Sequence, residues 1–210
     1  MQPTVVLISV FAIFIPALML PGPDFVAVVR SSMMRGAVAG LLTTVGVSVG
    51  LGIYATLGLL GLSAVMIKFE WLAWTIRVAG GAYLVYLGVR LLLTRPEAIE
   101  MTTEGSAKRG NPLLFGLGVT LTNPKAIVLF ASVFATSVTA ETPDWLMATM
   151  VALVVASSLV WYSIVSLFMS SAPVVRAFGN ARHWIERAAG VCFVAIGGRI
   201  LVDSRNPLTP

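Results

Sequence analysis

Charge is scarce in this chain: Asp, Glu, Lys and Arg together make up 11% of its 210 residues. Soluble domains carry about 25%. With 58% apolar residues and a mean hydropathy of +0.93, there is more apolar surface than such a domain can hide. The single cysteine, Cys192, excludes an intrachain disulfide and a two-cysteine redox relay. Histidine also occurs once, and the apolar stretches gather no set of His, Cys and carboxylate ligands, so neither a metal site nor a cofactor is expected. An enzyme within the membrane would need a nucleophile with its base, or a pair of acids. Ser157, Ser158, Ser163 and Ser166 have no His or acid nearby, and are expected to hydrogen-bond within and between helices. The chain is therefore not expected to be an enzyme.

Long apolar runs are abundant. A spanning helix needs about 20 predominantly apolar residues, and Met1–Pro23, Gly36–Ile67 and Trp145–Val175 are free of charge over at least that length. Three further segments cross only by carrying charge: Trp71–Thr94 with Arg77 and Arg90, Asn111–Ala140 with Lys125, and Arg187–Val202 with Arg199. Charges near a span's ends can reach the headgroups, whereas one at its centre costs at least about 2.5 kcal/mol. Lys125 is the residue in that costly position. The expected class is an all-α polytopic membrane protein of six spans.

The formal charge of +5 does not indicate nucleic acid, because the basic residues lie in short loops between apolar spans. Arg30, Arg35, Arg90, Arg95, Lys108, Arg109, Arg176, Arg182 and Arg187 fall on one side, against Lys68, Arg77, Arg199 and Arg205 on the other. The positive-inside rule makes the first side cytoplasmic and puts both termini outside. The first run lacks a basic leader region and a small-residue cleavage site, so it reads as a retained helix. Pro173–Ile185 reads as a short interfacial connector anchored by Trp184.

The polar stretch 95–110 divides the spans three and three, giving a first three-helix unit at 1–94, a cytoplasmic linker, and a second unit at 111–210. The two units are similar in sequence. Arg77-Val78-Ala79-Gly80 aligns with Arg187-Ala188-Ala189-Gly190, Gly88 then falls on Gly198, Tyr54 aligns with Tyr162, and Pro23 lies near Pro124. A duplicated unit of three spans must insert upside down the second time, so the expected architecture is a pair of inverted repeats. Small residues at helical spacing, such as Gly80 and Gly88, are expected to let helices pack closely.

Helices 1 and 4 are expected to be broken near the midplane. Pro21 and Pro23 around Gly22 remove amide donors and clash with the preceding turn. Asp24 follows, placed to cap the helix that continues through Phe25–Val29. In the second half, Asn123 is a natural cap for a half helix beginning at Pro124, with Lys125 in its first turn. Exposed backbone at such breaks cannot face lipid and must face protein or a watery cavity. A cation at a positive helix end is unhelpful unless an anion meets it. Asp24 and Lys125 would together suit a zwitterion, amino group toward Asp24 and carboxylate toward Lys125; a direct Asp24–Lys125 ion pair is the alternative.

Pro21-Gly22-Pro23-Asp24-Phe25, Gly80-Gly81-Ala82-Tyr83-Leu84 with Gly88, Asn123-Pro124-Lys125-Ala126-Ile127, and the region of Gly190 and Gly198 resemble the LysE/RhtB family of bacterial amino-acid exporters, in its homoserine and threonine branch. That resemblance covers essentially the whole chain. It implies a secondary transporter of the bacterial inner membrane that exports small neutral amino acids, driven by proton entry, with Asp24, Asn123 and Lys125 carrying the function. Basic amino acids, other small metabolites or a cation are the alternative cargoes. A basic cargo is disfavoured on the ground that Asp24 is the one evident carboxylate within the membrane. The expected partners are the substrate and the lipid bilayer, not nucleic acid, with a homo-oligomer left open.

Overall fold

The computed structural model describes residues 2–68, 70–93, 110–139, 142–168 and 172–204, and among these the regular structure is entirely α-helical. The helices are α1 (Pro3–Met19), α2 (Pro23–Arg35), α3 (Ala37–Lys68), α4 (Glu70–Leu93), α5 (Pro112–Leu121), α6 (Pro124–Ser137), α7 (Asp144–Phe168) and α8 (Ala172–Asp203). Segments of α3, α4 and α7 are each long and apolar enough to cross a membrane. Two more spans result if α1 with α2, and α5 with α6, are each counted as one bent helix. With this many apolar spans, the chain is a helical membrane protein. Among the described residues, α8 is not one of these spans; from Glu186 to its end it carries Glu186, Arg187, Arg199 and Asp203.

Both expected breaks are present. The axes of α1 and α2 differ by 46°, and those of α5 and α6 by 60°. The reason is chemical, since Pro21, Pro23 and Pro124 have no N–H to continue the ladder. The connector expected at Pro173–Ile185 is instead part of α8, which runs unbroken from Ala172. Pro173 lies in the helix's first turn, where a missing N–H costs nothing. The expected linker at 95–110 lies outside the described residues except for Gly110.

The α3 helix is central, packing against α2, α5, α6 and α7, while α4 lies along α8. Close approach of α4 and α8 depends on glycine. A Cβ on Gly88 would sit 2.7 Å from the Gly190 carbonyl oxygen, and one on Gly197 would sit 2.7 Å from that of Gly81. The pairs run in opposite chain directions, so the two helices are antiparallel. The turn from α2 into α3 is made by Gly36 at φ +86°, a conformation that side chains resist, with its N–H bonded to the Ser32 carbonyl. Beneath that turn, Ser32 donates to Ser166 of α7 at 2.9 Å, and Thr43 donates to Ser31 at 2.8 Å. Ser157 and Ser158 bond carbonyls of their own helix, as expected of hydroxyls in such segments.

Candidate functional site

Proline leaves carbonyl oxygens without their helical donors, and here other donors meet them, some local and some from distant helices. The Ala12 carbonyl would be served by residue 16, but Pro16 has no N–H; the Cys192 thiol of α8 donates to it at 3.2 Å. The Ala17 carbonyl would be served by Pro21. Lys125 reaches it instead, with Nζ at a long 3.5 Å. At the second break, the Thr120 carbonyl loses Pro124 as a donor and accepts from the Asn123 N–H at 3.0 Å. The Leu121 carbonyl accepts from the Tyr54 hydroxyl at 2.7 Å, because the Lys125 N–H is already bonded to the Asn123 side chain at 3.1 Å.

Asn123 therefore caps α6, as its place before Pro124 predicts. Asp24 does not cap α2. That helix has Gly22 at its cap position with no side-chain cap bond, and Asp24 lies in the first turn at 7% exposure. Its carboxylate is used across the fold, accepting from the Thr120 hydroxyl at 2.9 Å and the Asn123 amide at 3.2 Å. A carboxylate is acceptor-only, so donors of this kind are what its burial requires.

Asp24, Asn123 and Lys125 line one cavity of about 30 Å³ together with Gly22 and Tyr162. Its remaining wall is apolar, including Phe14, Leu18, Leu51 and Leu129. The two charged groups interact electrostatically, but they do not form the direct ion pair that the sequence left open. Among the described residues, the hydrogen bonds of Asp24 go to Thr120 and Asn123, and that of the Lys125 ammonium goes to Ala17. Of the residues in the proline segments, Gly22 lines the cavity; a Cβ there would stand 3.5 Å from Lys125 Nζ. Pro21, Pro23 and Pro124 contribute through the backbone they interrupt.

Three participants were not singled out from the sequence. Thr120 is a lone hydroxyl in an apolar helix, with nothing local to mark it. Tyr162 was visible only as the counterpart of Tyr54. Glu186, 7% exposed on α8, is a second buried carboxylate whose charge reaches Lys125, so Asp24 is not alone in that respect. It lies on the buried face of α8 with Ala189 and Phe193.

The family described as LysE type translocator matches residues 15–204. The chain is 31% identical over 203 residues to the threonine efflux protein of Escherichia coli (strain K12), covering 93% of this chain and 97% of that one. It is 30% identical over 199 residues to the threonine efflux protein of Salmonella typhi, with the same coverage of 93% and 97%. A leucine efflux protein of Salmonella choleraesuis is 32% identical over 138 residues, covering 63% and 62%. No solved structure matches. These are transport proteins rather than enzymes, and with the family match extending over nearly the whole sequence, the chain belongs to the LysE type translocators.

Proposed function

We propose that the protein is a secondary transporter that exports small neutral amino acids, threonine-like or homoserine-like, from the bacterial cytoplasm by proton antiport. The observation that carries this reading is a carboxylate and an ammonium, borne by two broken helices, lining one cavity without pairing. A zwitterion satisfies both at once, its ammonium on Asp24 and its carboxylate on Lys125. The names of the threonine and leucine efflux relatives support amino-acid export.

A cavity of about 30 Å³ has room for a water or two, not for an amino acid. This is accordingly a closed conformation, and substrate enters when the halves part. In the proposed cycle Asp24 holds the ammonium when ionised and gives it up when protonated. One charge moving inward across about 150 mV supplies about 3.5 kcal/mol. That sustains an outward gradient of about 300-fold for a neutral substrate.

The architecture proposed with it is six spans in two inverted repeats, 1–94 and 111–210, joined by a cytoplasmic linker at 95–110. The C-terminal half of α8 is the sixth span, both termini are periplasmic, and no cofactor is needed. The paired breaks and the antiparallel α4 and α8 support this arrangement.

The test is transport of labelled L-threonine and L-leucine by the purified protein in proteoliposomes under an imposed pH gradient. Gradient-driven movement is expected in the wild type and lost in Asp24→Asn. Full gradient-driven movement by Asp24→Asn ends the proton-carrier role. Absence of movement of both amino acids by the wild type ends the neutral-amino-acid reading.

Glu186 favours one second reading. A basic cargo such as lysine wants two carboxylates, and Glu186 is buried in the fold as well as Asp24. Competition by L-lysine in the same vesicles separates the two cargoes.

A further inference from the structure

Tyr162 is 3% exposed on α7, and a buried phenol normally finds a partner for its hydroxyl. Its counterpart in the other half has one, since the Tyr54 hydroxyl is bonded to the Leu121 carbonyl at the second break. Among the described residues, the hydrogen bond of Tyr162 is made by its backbone carbonyl, which accepts from Thr44 at 3.2 Å. That bond holds α7 against α3 and leaves the phenol to the cavity it lines with Leu20, Gly22, Asp24 and Lys125. Asp24 lines the same cavity, and its negative charge reaches the phenol.

Resting on the amino-acid reading of the cavity, we propose that Tyr162 is a binding residue whose hydroxyl oxygen, with the Asp24 carboxylate, receives the substrate's α-ammonium group. An ammonium has three N–H donors and can serve both acceptors, whereas an α-hydroxyl has one and cannot. Tyr162 thereby makes the site selective for α-amino acids over α-hydroxy acids of the same side chain. Lys125, serving the carboxylate that both classes share, does not discriminate between them.

The experiment is counterflow of labelled L-leucine and L-threonine in proteoliposomes, with 2-hydroxy-4-methylpentanoate as competitor. Tyr162→Phe keeps the ring, and its folding is checked by thermal melting. Loss of a hydrogen bond to a charged group is expected to raise the half-saturating amino-acid concentration about tenfold. The maximal rate should change little, and the preference for leucine over its hydroxy analogue should shrink by the same factor. An unchanged preference overturns the assignment even if transport slows, because a packing role alters rate without altering choice. Tyr54→Phe is the comparison; an equal loss of preference there also overturns it. If the wild type shows no saturable counterflow with either amino acid, the amino-acid reading falls first and takes this assignment with it. That result is distinct from a wild type that transports and a Tyr162→Phe that discriminates as before.

Discussion

The Asn123 side chain joins Asp24 to the start of α6: its amide nitrogen donates to Asp24 Oδ2 at 3.2 Å, while its oxygen caps the helix at the Lys125 N–H. One residue thus fixes both the second break and the carboxylate that faces it, although 99 positions separate the pair in sequence.

Asn123→Ala removes a cap and a donor to a buried carboxylate. The expected loss of stability is about 2–4 kcal/mol, read as a lower melting temperature in detergent or lipid. Asn123→Ser keeps a capping oxygen and should recover about 1 kcal/mol of it. A melting temperature untouched by Asn123→Ala would contradict the double role.

Thr120→Val keeps the shape of the side chain and deletes the other donor to Asp24. Stability should fall by about 1.5–3 kcal/mol, and gradient-driven efflux should fall with it. Combined with Asn123→Ala, the losses should not add, because both act on one carboxylate. Strict additivity in a double-mutant cycle would sink that account.

Ser32 and Ser166 tie α2 to α7 through a buried hydroxyl pair. A cycle built from Ser32→Ala and Ser166→Ala should give a coupling energy of about 0.5–1.5 kcal/mol by melting. A value indistinguishable from zero would mean that the tie contributes nothing.

Two glycines of the same helix pair should respond with opposite signs. Gly88→Ala puts a methyl against the backbone of α8 and should cost about 1–3 kcal/mol. At Gly198 a Cβ meets nothing within 4 Å, so Gly198→Ala should stabilise the helix by up to about 1 kcal/mol. Matching effects of the two changes would argue against the packing described for α4 and α8.

Much of the site was legible because proline leaves a local, readable trace. Pro21, Pro23 and Pro124 delete specific N–H groups, so the two breaks and their neighbours Asp24, Asn123 and Lys125 could be found without any knowledge of the fold. Thr120 could not, since its role comes from facing Asp24 across the molecule and a threonine in a helix ordinarily bonds its own preceding turn. Glu186 was hidden for a different reason. It sits beside Arg187 at the edge of a stretch that reads as headgroup-level, and only the continuity of α8 reveals that it faces inward. The same continuity takes in the segment expected as a connector, because Pro173 marks the beginning of a helix rather than its interruption. Asp24 looked like a cap because a carboxylate after a break usually is one; Gly22 has that position instead.

Asp24 rides on α2, yet both side chains that donate to it belong to α5 and the break before α6. The hydrogen bonds that keep this carboxylate tolerable in an apolar interior are therefore also a seam between two parts of the chain. In the proposed cycle, a proton or an ammonium that competes for those oxygens would loosen that seam as it binds.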